Sequence, residues 1–403
     1  QFKTPFYRKI LESIQRYSIY IGLGSPKRSE LKRESIANGI VVTTWRKSFQ
    51  SLEFLSHDKG YTMAKGGLHS KDDPRVIWAE SGEILADPDV TSMYPSFIVE
   101  YGVAPHHLSK EVFIGIVKWL RETRVEAKHT GRKLEADALK IVINRIYGAL
   151  NDAMDYLYDP ECTYTVTINL QLLLCGLIEA FELNNFDVLS ANTDGLLVRL
   201  PLNRQGVFKH ICNEWSVYSK LDLETEKFEK YCRSAVNDYI AVGYGFYDAL
   251  QEYNRCGVWI DSKSNTYTTR QAIEDKFIKF KGYFLQDPEY NKGFVYPVVK
   301  KALKEYFLYG VDITEFIRNY INTSRTAIYD YCFSQKVAGK YTTIYKTVRD
   351  GKPVYIKCQK HNRFYICKSG GGAITKAIVP DSDNIAYGDD ISGIVVEEEK
   401  SLV

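Results

Sequence analysis

Residues 186–198 constrain the fold of this chain more than any other segment. Two apolar runs flank the four residues Asn192, Thr193, Asp194 and Gly195. This pattern predicts a β-hairpin in which Asp-Gly supplies the turn. A plain structural hairpin would account for the pattern, but the pattern also places the carboxylate of Asp194 where two buried strands meet.

A second carboxylate, that of Asp89, is predicted at the end of an earlier strand. A residue before proline is disfavoured in helical backbone, so Tyr94 is expected to be extended before Pro95. Proline suits the first turn of a helix, and residues 97–99 are predicted to form a short buried helix that stops near Gly102. An isolated aspartate in such a place is usually a turn cap, so Asp89 alone does not indicate catalysis.

Two helices are predicted between these carboxylates, over residues 110–129 and 133–150, with Gly131 after the first. Apolar spacing predicts one buried stripe on each helix. The stripes are Phe113, Ile116, Val117 and Leu120, and Leu139, Val142, Ile143 and Ile146. Other faces carry Arg121, Arg124 and Lys128, and Lys140, Asn144 and Tyr147. Such cationic, hydrogen-bonding faces suit a triphosphate, with a solvated surface as the alternative.

Length, cysteine usage and apolar runs restrict the classes of protein to which the chain can belong. A chain of 403 residues is expected to form two or three subdomains. Its eight cysteines include no C-x-x-C pair, which favours reduced thiols in an intracellular compartment over a zinc site. No apolar run approaches 18 residues and no signal-peptide pattern is present, so we expect no membrane partner.

The charge is unevenly distributed along the chain. Residues 276–376 contain 19 Lys and Arg against 7 Asp and Glu, whereas residues 377–403 contain 1 against 7. A long basic block suggests a polyanionic partner, although a solvated lysine-rich surface has the same composition.

Together these segments resemble the family B DNA polymerases. The three motifs concerned are D-x-x-S-L-Y-P-S, K-x-x-x-N-x-x-Y-G and D-T-D-S, and the similar segments are 89–96, 140–148 and 192–195. The second motif matches at every fixed position, and the three occur in the order found in the family. Weaker similarity continues through residues 236–239, 279–282 and 363–376.

The resemblance implies an α+β fold with the right-hand architecture of polymerases, in which the palm combines an antiparallel sheet with helices. The implied domains are the palm (61–108 and 156–285), two-helix fingers (109–155) and a thumb with an acidic tail (286–403). Residues 1–60 have no role assigned by the resemblance.

The resemblance also implies the roles of individual residues. Asp89 and Asp194 would be catalytic and would hold two Mg²⁺ ions, with the Val90 carbonyl as a further ligand and Mn²⁺ as a substitute ion. The incoming dNTP would be bound by Ser92, Met93, Tyr94, Arg124, Lys128, Lys140, Asn144, Tyr147 and Gly148, with Tyr94 excluding a 2′-OH. The primer–template DNA would contact Asn192, Thr193, Asn237, Asp238, Tyr239, Lys279, Lys281, Gly282, Arg363, Lys368 and Lys376.

The implied activity is template-directed addition of dNTPs to a primer 3′-OH with release of pyrophosphate. Three positions depart from the usual motifs: Asn192 replaces Asp, Gly195 replaces Ser and Met93 replaces Leu. We expect each of the three changes to be tolerated. The changes at Gly195 and Met93 are expected to be mild. Since Asn-Thr-Asp-Gly resembles a variant of phage-type members, a phage or mobile-element source is expected, with the host cytoplasm as its location.

Residues 1–60 are too few to hold the 3′–5′ exonuclease of the family, so proofreading is expected to be absent or to reside in a separate exonuclease domain. The short spacings between motifs leave no room for the insertions of protein-primed members. We therefore expect a nucleic-acid primer and low processivity without a replisome factor. The alternatives are a reverse transcriptase or primase with a similar palm, and a catalytically degenerate nucleic-acid-binding homologue, which Asn192 favours.

Overall fold

The computed structural model describes residues 2–18, 26–37, 39–282, 296–336, 341–349, 351–358, 361–367, 370–373 and 377–380. The chain divides into two compact units, Gln1–Lys281 and Gly282–Val403. The division lies close to the boundary expected between residues 285 and 286, while the names palm, fingers and thumb remain predictions.

The first unit contains a 12-stranded sheet in which every pair of named strands is antiparallel. Its strands are β1 (Lys32–Ala37), β2 (Ile40–Trp45), β3 (Ser48–Ser56), β4 (Lys59–Ala64), β5 (Gly67–Ser70), β6 (Arg75–Trp78), β7 (Glu83–Val90), β8 (Asp187–Asn192), β9 (Gly195–Pro201), β10 (Leu223–Ala235), β11 (Asp238–Gly243) and β14 (Ile278–Lys281). The order is β1-β2-β3-β4-β5-β8-β9-β7-β10-β11-β14, and β6 pairs with β10. Two short strands, β12 (Trp259–Ile260) and β13 (Thr266–Tyr267), pair with each other. The expected combination of an antiparallel sheet with helices is therefore confirmed.

The helices of this unit are α1 (Pro5–Gln15), α2 (Met93–Tyr101), α3 (Lys110–His129), α4 (Lys133–Ala149), α5 (Pro160–Leu183), α6 (Gln205–Ser219), α7 (Phe246–Cys256) and α8 (Arg270–Phe277). The helix pair predicted over residues 110–129 and 133–150 is thus confirmed. Ser109 caps α3 by accepting a hydrogen bond from the backbone N–H of Val112.

Alternation along the central strands gives the sheet two apolar faces. Ile84 and Ala86 of β7 belong to a large core formed with α5, whereas Leu85 faces a smaller cluster with Leu197 and Phe228. Helix α5 is capped by Asp159, which accepts from the backbone N–H of Cys162 at 2.9 Å. The expectation that no apolar run approaches 18 residues is wrong for this helix, which is long and apolar enough to cross a membrane. However, 61% of its most apolar window is buried inside the protein, as is typical of a core helix.

One domain boundary and the two apolar stripes differ from expectation. The boundary expected after residue 60 falls inside β4, and β1 to β3 continue the same sheet, so the first 60 residues are not separate from it. The predicted stripes are too wide, because Ile116 is 50% exposed and Val142 is 46% exposed. The helices α3 and α4 pack on each other and on α2, and this contact buries narrower stripes that include Phe113, Val117 and Ile143.

The second unit contains α9 (Pro297–Tyr309) and α10 (Ile313–Tyr320), followed by two three-stranded sheets. One sheet has the order β15 (Phe333–Lys336), β18 (His361–Cys367), β19 (Gly370–Ala373), and the other β17 (Lys352–Cys358), β16 (Tyr341–Arg349), β20 (Ala377–Pro380). Within this unit, Lys301 of α9 and the Tyr320 hydroxyl of α10 both donate to the carboxylate of Asp330, at 2.6 and 2.7 Å.

Candidate active site

The hairpin formed by β8 and β9 presents Asp194 at its tip. Its turn consists of Thr193 and Asp194, because Asn192 pairs with Gly195, so the expectation of an Asp-Gly turn is wrong by one residue. Thr193 adopts a left-handed conformation with φ of 58°. Its backbone N–H donates to the carbonyl of Leu68 at 2.8 Å, which supports this conformation.

The second carboxylate lies beside this tip. Asp89 of β7 pairs with Gly195 of β9, and the N–H of Val90 donates to the carbonyl of Asp194 at 2.8 Å. A Cβ placed on Gly195 would lie 2.9 Å from Oδ1 of Asp89 and 3.2 Å from Oδ1 of Asp87. Glycine is therefore more than a mild replacement here, since the space that a side chain would take is filled by carboxylate oxygens.

The carboxylates of Asp89 and Asp194 are buried close together, and their negative charges are little compensated by positive ones. Burial, followed by the charges of Asp194 and Asp87, raises the pKa of Asp89 well above its usual range. Burial also raises the pKa of Asp194, although Lys281, Lys279 and Lys140 oppose this effect. Among the residues that the structure describes, no lysine or arginine forms an ion pair with either carboxylate of this pair.

A cavity of about 520 Å³ opens onto these carboxylates. It is lined by most of the residues predicted to bind metal or nucleotide, namely Asp89, Val90, Ser92, Met93, Tyr94, Arg124, Lys128, Lys140, Asn144, Tyr147 and Asp194. Gly148 is the exception, being exposed on α4 outside the lining. The three motifs that are separate in sequence thus surround one cavity.

Tyr94 lies in the first turn of α2, so the expectation that it is extended is wrong. The N–H groups of the first helical turn have no partner within the helix, so Pro95 in that turn removes no hydrogen bond. The ring of Tyr94 stacks on Tyr147, and its hydroxyl donates to the carbonyl of Gly66 at 3.1 Å. These two contacts hold the ring on the wall of the cavity.

Three cationic side chains form the helical wall of the cavity. Arg124 donates to the hydroxyl of Ser92, which begins α2 in a left-handed conformation with φ of 48°. Lys128 forms an ion pair with Glu224 at 2.9 Å. Lys140 has no ion pair among the described residues, and its charge acts on Asp194. This wall can therefore offer positive charge to an anionic ligand beside the carboxylates.

Sequence reasoning missed two glutamates of the site. Glu224 and Glu226 of β10 line the cavity and lie opposite Asp89 and Asp87 in the pairing of β10 with β7. Glu226 accepts from Lys279 at 2.8 Å, and Lys279 also lies 3.9 Å from Asp87. Glu224 and Glu226 are two residues apart on one strand, so both lie on the same face of the sheet. This spacing was the signal in the sequence that could have identified them.

The carboxylates of the cavity are the candidate ligands for the metal ions that the resemblance implies. Within the described ranges, no three His, Cys, Asp or Glu side chains converge on a common point. The site offers the carboxylates of Asp89 and Asp194, which repel each other and would be stabilised by a cation. Magnesium commonly uses one or two carboxylates together with water and substrate oxygens, so these residues fit such an ion.

Of the residues predicted to contact primer and template, those that belong to the first unit are absent from the lining of the cavity. Asn192 and Thr193 lie at the hairpin tip. Asn237 belongs to the two-residue turn between β10 and β11, and Asp238 and Tyr239 are the first two residues of β11. Lys281 of β14 pairs with Tyr239, and Lys279 pairs with Ala241. The remaining residues predicted to contact DNA are Gly282, Arg363, Lys368 and Lys376. Gly282 begins the second unit, and only the strand that contains Arg363 is described. Lys368 and Lys376 lie outside the described residues.

The similarity of this chain to known proteins is distant and partial. No protein-family model matches the chain. Over 118 residues the chain is 28% identical to DNA polymerase II of Escherichia coli (strain K12), a match that covers 29% of this chain and only 15% of that protein. Among solved structures, the family B DNA polymerase from the hyperthermophilic archaeon Pyrobaculum calidifontis aligns with 79% of this chain and 44% of its own, at 15% identity and a TM-score of 0.41. The ordered motifs and the sequence match to DNA polymerase II identify the chain as a distant homologue of the family B DNA polymerases.

Proposed function

We propose that the chain is a DNA-directed DNA polymerase that adds dNTPs to the 3′-OH of a primer annealed to a DNA template. The observation that carries this proposal is the cavity in which Asp89 and Asp194 face Arg124, Lys128 and Lys140. A site for nucleotidyl transfer needs a place for metal-bound phosphate oxygens beside a cationic wall, and this cavity supplies both sides.

Each residue of the cavity has a separate role in the proposed reaction. Asp89 and Asp194 would hold two Mg²⁺ ions, and such ions would supply activation of the primer hydroxyl and neutralisation of phosphate charge. Lys140 and Arg124 bind phosphate oxygens of the dNTP, with Asn144 as a hydrogen-bonding partner. Tyr94 restricts the sugar and excludes a 2′-OH, a role supported by the contacts that hold its ring against Tyr147 and its hydroxyl on the Gly66 carbonyl.

The same proposal extends to the larger architecture and to the partners. The helix pair α3 and α4 serves as the fingers, the large sheet as the palm and the second unit as the thumb. The turn at 236–239 and the lysines of β14 follow the primer–template backbone without reading its sequence. A phage or mobile-element source and a processivity factor belong to the proposal as well.

The structure weakens the main argument for a degenerate homologue. That argument was the replacement of aspartate by Asn192, but Asn192 does not line the cavity and its amide has a defined partner in the fold. Both carboxylates that the proposed chemistry requires are present, so we propose an active enzyme.

Primer extension tests the proposal directly. The native chain is incubated with a labelled DNA primer, a DNA or RNA template, Mg²⁺ and dNTPs. Asp194→Asn is the inactive variant, and Asp187→Asn is its matched control, because Asp187 is exposed at the far end of the same hairpin. Extension on DNA that is lost only in Asp194→Asn supports the proposal. A preference for the RNA template would favour a reverse transcriptase, and binding without extension would favour a degenerate homologue.

A further inference from the structure

The side chain of Asn192 has a specific partner outside the cavity. Its Nδ2 donates to the carbonyl of Val236 at 3.1 Å. Val236 and Asn237 form the two-residue turn between β10 and β11, in which Ala235 pairs with Asp238. The hydrogen bond therefore joins the hairpin that carries Asp194 to the turn that we propose to follow the primer–template.

A second bond of the same kind lies three residues earlier on both segments. Arg233 of β10 donates from Nη1 to the carbonyl of Leu189 in β8 at 3.1 Å. Its guanidinium also pairs with Asp72 at 3.0 Å, and the two side chains are only 2% and 0% exposed. Ser190 of β8 donates to the same Asp72 carboxylate. The buried contacts among Arg233, Asp72 and Ser190 connect the middle of β8 to the end of β10. The hydrogen bond of Asn192 connects the tip of the hairpin to the turn that follows β10.

The hairpin tip is also held by β5. The N–H of Thr193 donates to the carbonyl of Leu68, and Oγ1 of Thr193 lies 3.1 Å from Nε2 of His69. Thr193 is thus held by β5, while Asn192 is held by its pairing with His69 of β5 and by the β10–β11 turn. Asp194 follows these two residues directly in the chain.

The Asn192 position requires a hydrogen-bond donor. A carbonyl oxygen accepts but does not donate, so the bond to Val236 uses the amide N–H of the side chain. An ionised aspartate would place a carboxylate oxygen against the Val236 carbonyl oxygen in a half-buried site. It would also add a negative charge two residues from Asp194, whose carboxylate is already buried beside Asp89. Both effects would disturb the tip.

We propose that Asn192 is a positioning residue, which fixes the distance between the Asp194 carboxylate and the turn at Val236 and Asn237 through its amide donor. This inference rests on the proposed polymerase function, because the turn is assigned to the primer–template on that basis. It makes the departure from the family motif a requirement of this chain. Restoring the aspartate that is usual in the family should therefore impair the protein.

The test compares Asn192→Asp, Asn192→Leu and Asn192→Gln with the native chain. Asn203→Asp is the matched control, since it makes the same chemical change at an exposed position. Steady-state extension should show kcat reduced about 10- to 100-fold in Asn192→Asp and Asn192→Leu, with the KM for dNTP changed by less than about 2-fold. Asn192→Gln, which retains an amide donor, should restore part of kcat.

Amide hydrogen exchange of the free protein supplies a second readout that does not depend on activity. Exchange at the backbone of residues 236–238 should be faster in Asn192→Asp and Asn192→Leu, while exchange in α5 stays unchanged. Equal or higher kcat in Asn192→Asp would overturn the inference, as would unchanged exchange at the turn. If the native chain does not extend primers, faster exchange in the variants still supports the tie, and only the polymerase function fails.

Discussion

The ring of Tyr94 lies flat against the ring of Tyr147, with 4.0 Å between the ring centroids and 8° between the ring planes. Tyr94 belongs to the first turn of α2 and Tyr147 to the end of α4, so the stack joins two helices across the cavity wall. The Tyr94 hydroxyl is held protonated, because burial raises its pKa to about 12, and it donates to the Gly66 carbonyl. The ring is therefore fixed at its face and at its hydroxyl.

Tyr94→Ala should relax the choice of sugar, because it removes the ring that borders the cavity. Tyr94→Phe keeps the ring and loses only the hydrogen bond to Gly66, so it should retain discrimination and lose about 1 kcal/mol of stability. The measurement is the ratio of kcat/KM for matched dNTP and rNTP pairs, together with thermal unfolding. An unchanged ratio in Tyr94→Ala would contradict the role of this ring as a sugar gate.

Lys140→Ala should raise the KM for dNTP by about 10-fold or more, because charge-assisted hydrogen bonds to phosphate contribute about 1.5–3 kcal/mol. Lys133→Ala is the matched control, as Lys133 lies in the first turn of the same helix and outside the cavity lining. Steady-state kinetics at saturating primer–template measures both variants. Similar KM values for the two would mean that the cationic face of α4 does not bind the triphosphate.

Replacing either carboxylate of the pair should have opposite effects on activity and on stability. Asp89→Asn and Asp194→Asn should reduce extension by several orders of magnitude, since each removes a metal ligand. At alkaline pH, where both carboxyls are ionised despite their raised pKa, both variants should raise the melting temperature of the protein without divalent ions, because each removes one of two buried like charges. Mg²⁺ should then stabilise the native chain more than either variant in thermal unfolding. Equal Mg²⁺ effects in all three proteins would contradict the metal assignment.

The elements that the sequence predicted are those whose signals are local. The helix pair followed from apolar spacing and a glycine between the helices, and the hairpin followed from two apolar runs around four turn residues. The turn was placed one residue late, because the support of Thr193 by the Leu68 carbonyl comes from a distant strand. Exposure of Ile116 and Val142 was missed for a similar reason, since it depends on which neighbours each helix has.

The site could be predicted only as far as its motifs. Asp89, Tyr94, Lys140 and Asp194 were named from three short segments, and the cavity brings them together. Glu224 belongs to no such motif, and its position opposite Asp89 is set by the register between β7 and β10, which are more than 100 residues apart in sequence. Pairing register over such a separation is fixed by the whole sheet, which a local pattern does not contain.

Gly195→Ala should displace the Asp89 carboxylate, because the added Cβ would lie 2.9 Å from its Oδ1. A short aspartate side chain has little freedom to move, so we expect kcat to fall about 10-fold and stability to fall by about 1 kcal/mol. Gly206→Ala on α6 is the matched control, since nothing lies within 4 Å of the added Cβ there. Native-like kcat in Gly195→Ala would show that Asp89 can relocate without consequence.

The loop before α3 should contribute a pH-dependent part of stability through His106. Its Nδ1 lies 2.7 Å from the Asp159 carboxylate that caps α5, and this hydrogen bond raises the pKa of His106 above its usual value near 6.5. The pKa of Asp159 is lowered despite its burial, because the N–H groups of Cys162 and His106 donate to it, so it stays ionised above pH 5. A raised histidine pKa means that the stabilisation is complete below the unfolded pKa and is lost as the pH rises through the folded one.

His106→Ala should therefore lower the melting temperature clearly at pH 5.5 and much less at pH 9, because the protonated imidazole gains more from the Asp159 carboxylate than the neutral one does. His210→Ala is the matched control, since His210 is exposed on α6 and lies 3.4 Å from Glu214 of the same helix. Thermal unfolding of the three proteins at both pH values measures the difference. A loss of equal size at pH 5.5 and pH 9 would show that His106 contributes through packing or backbone effects, because those do not change with its protonation.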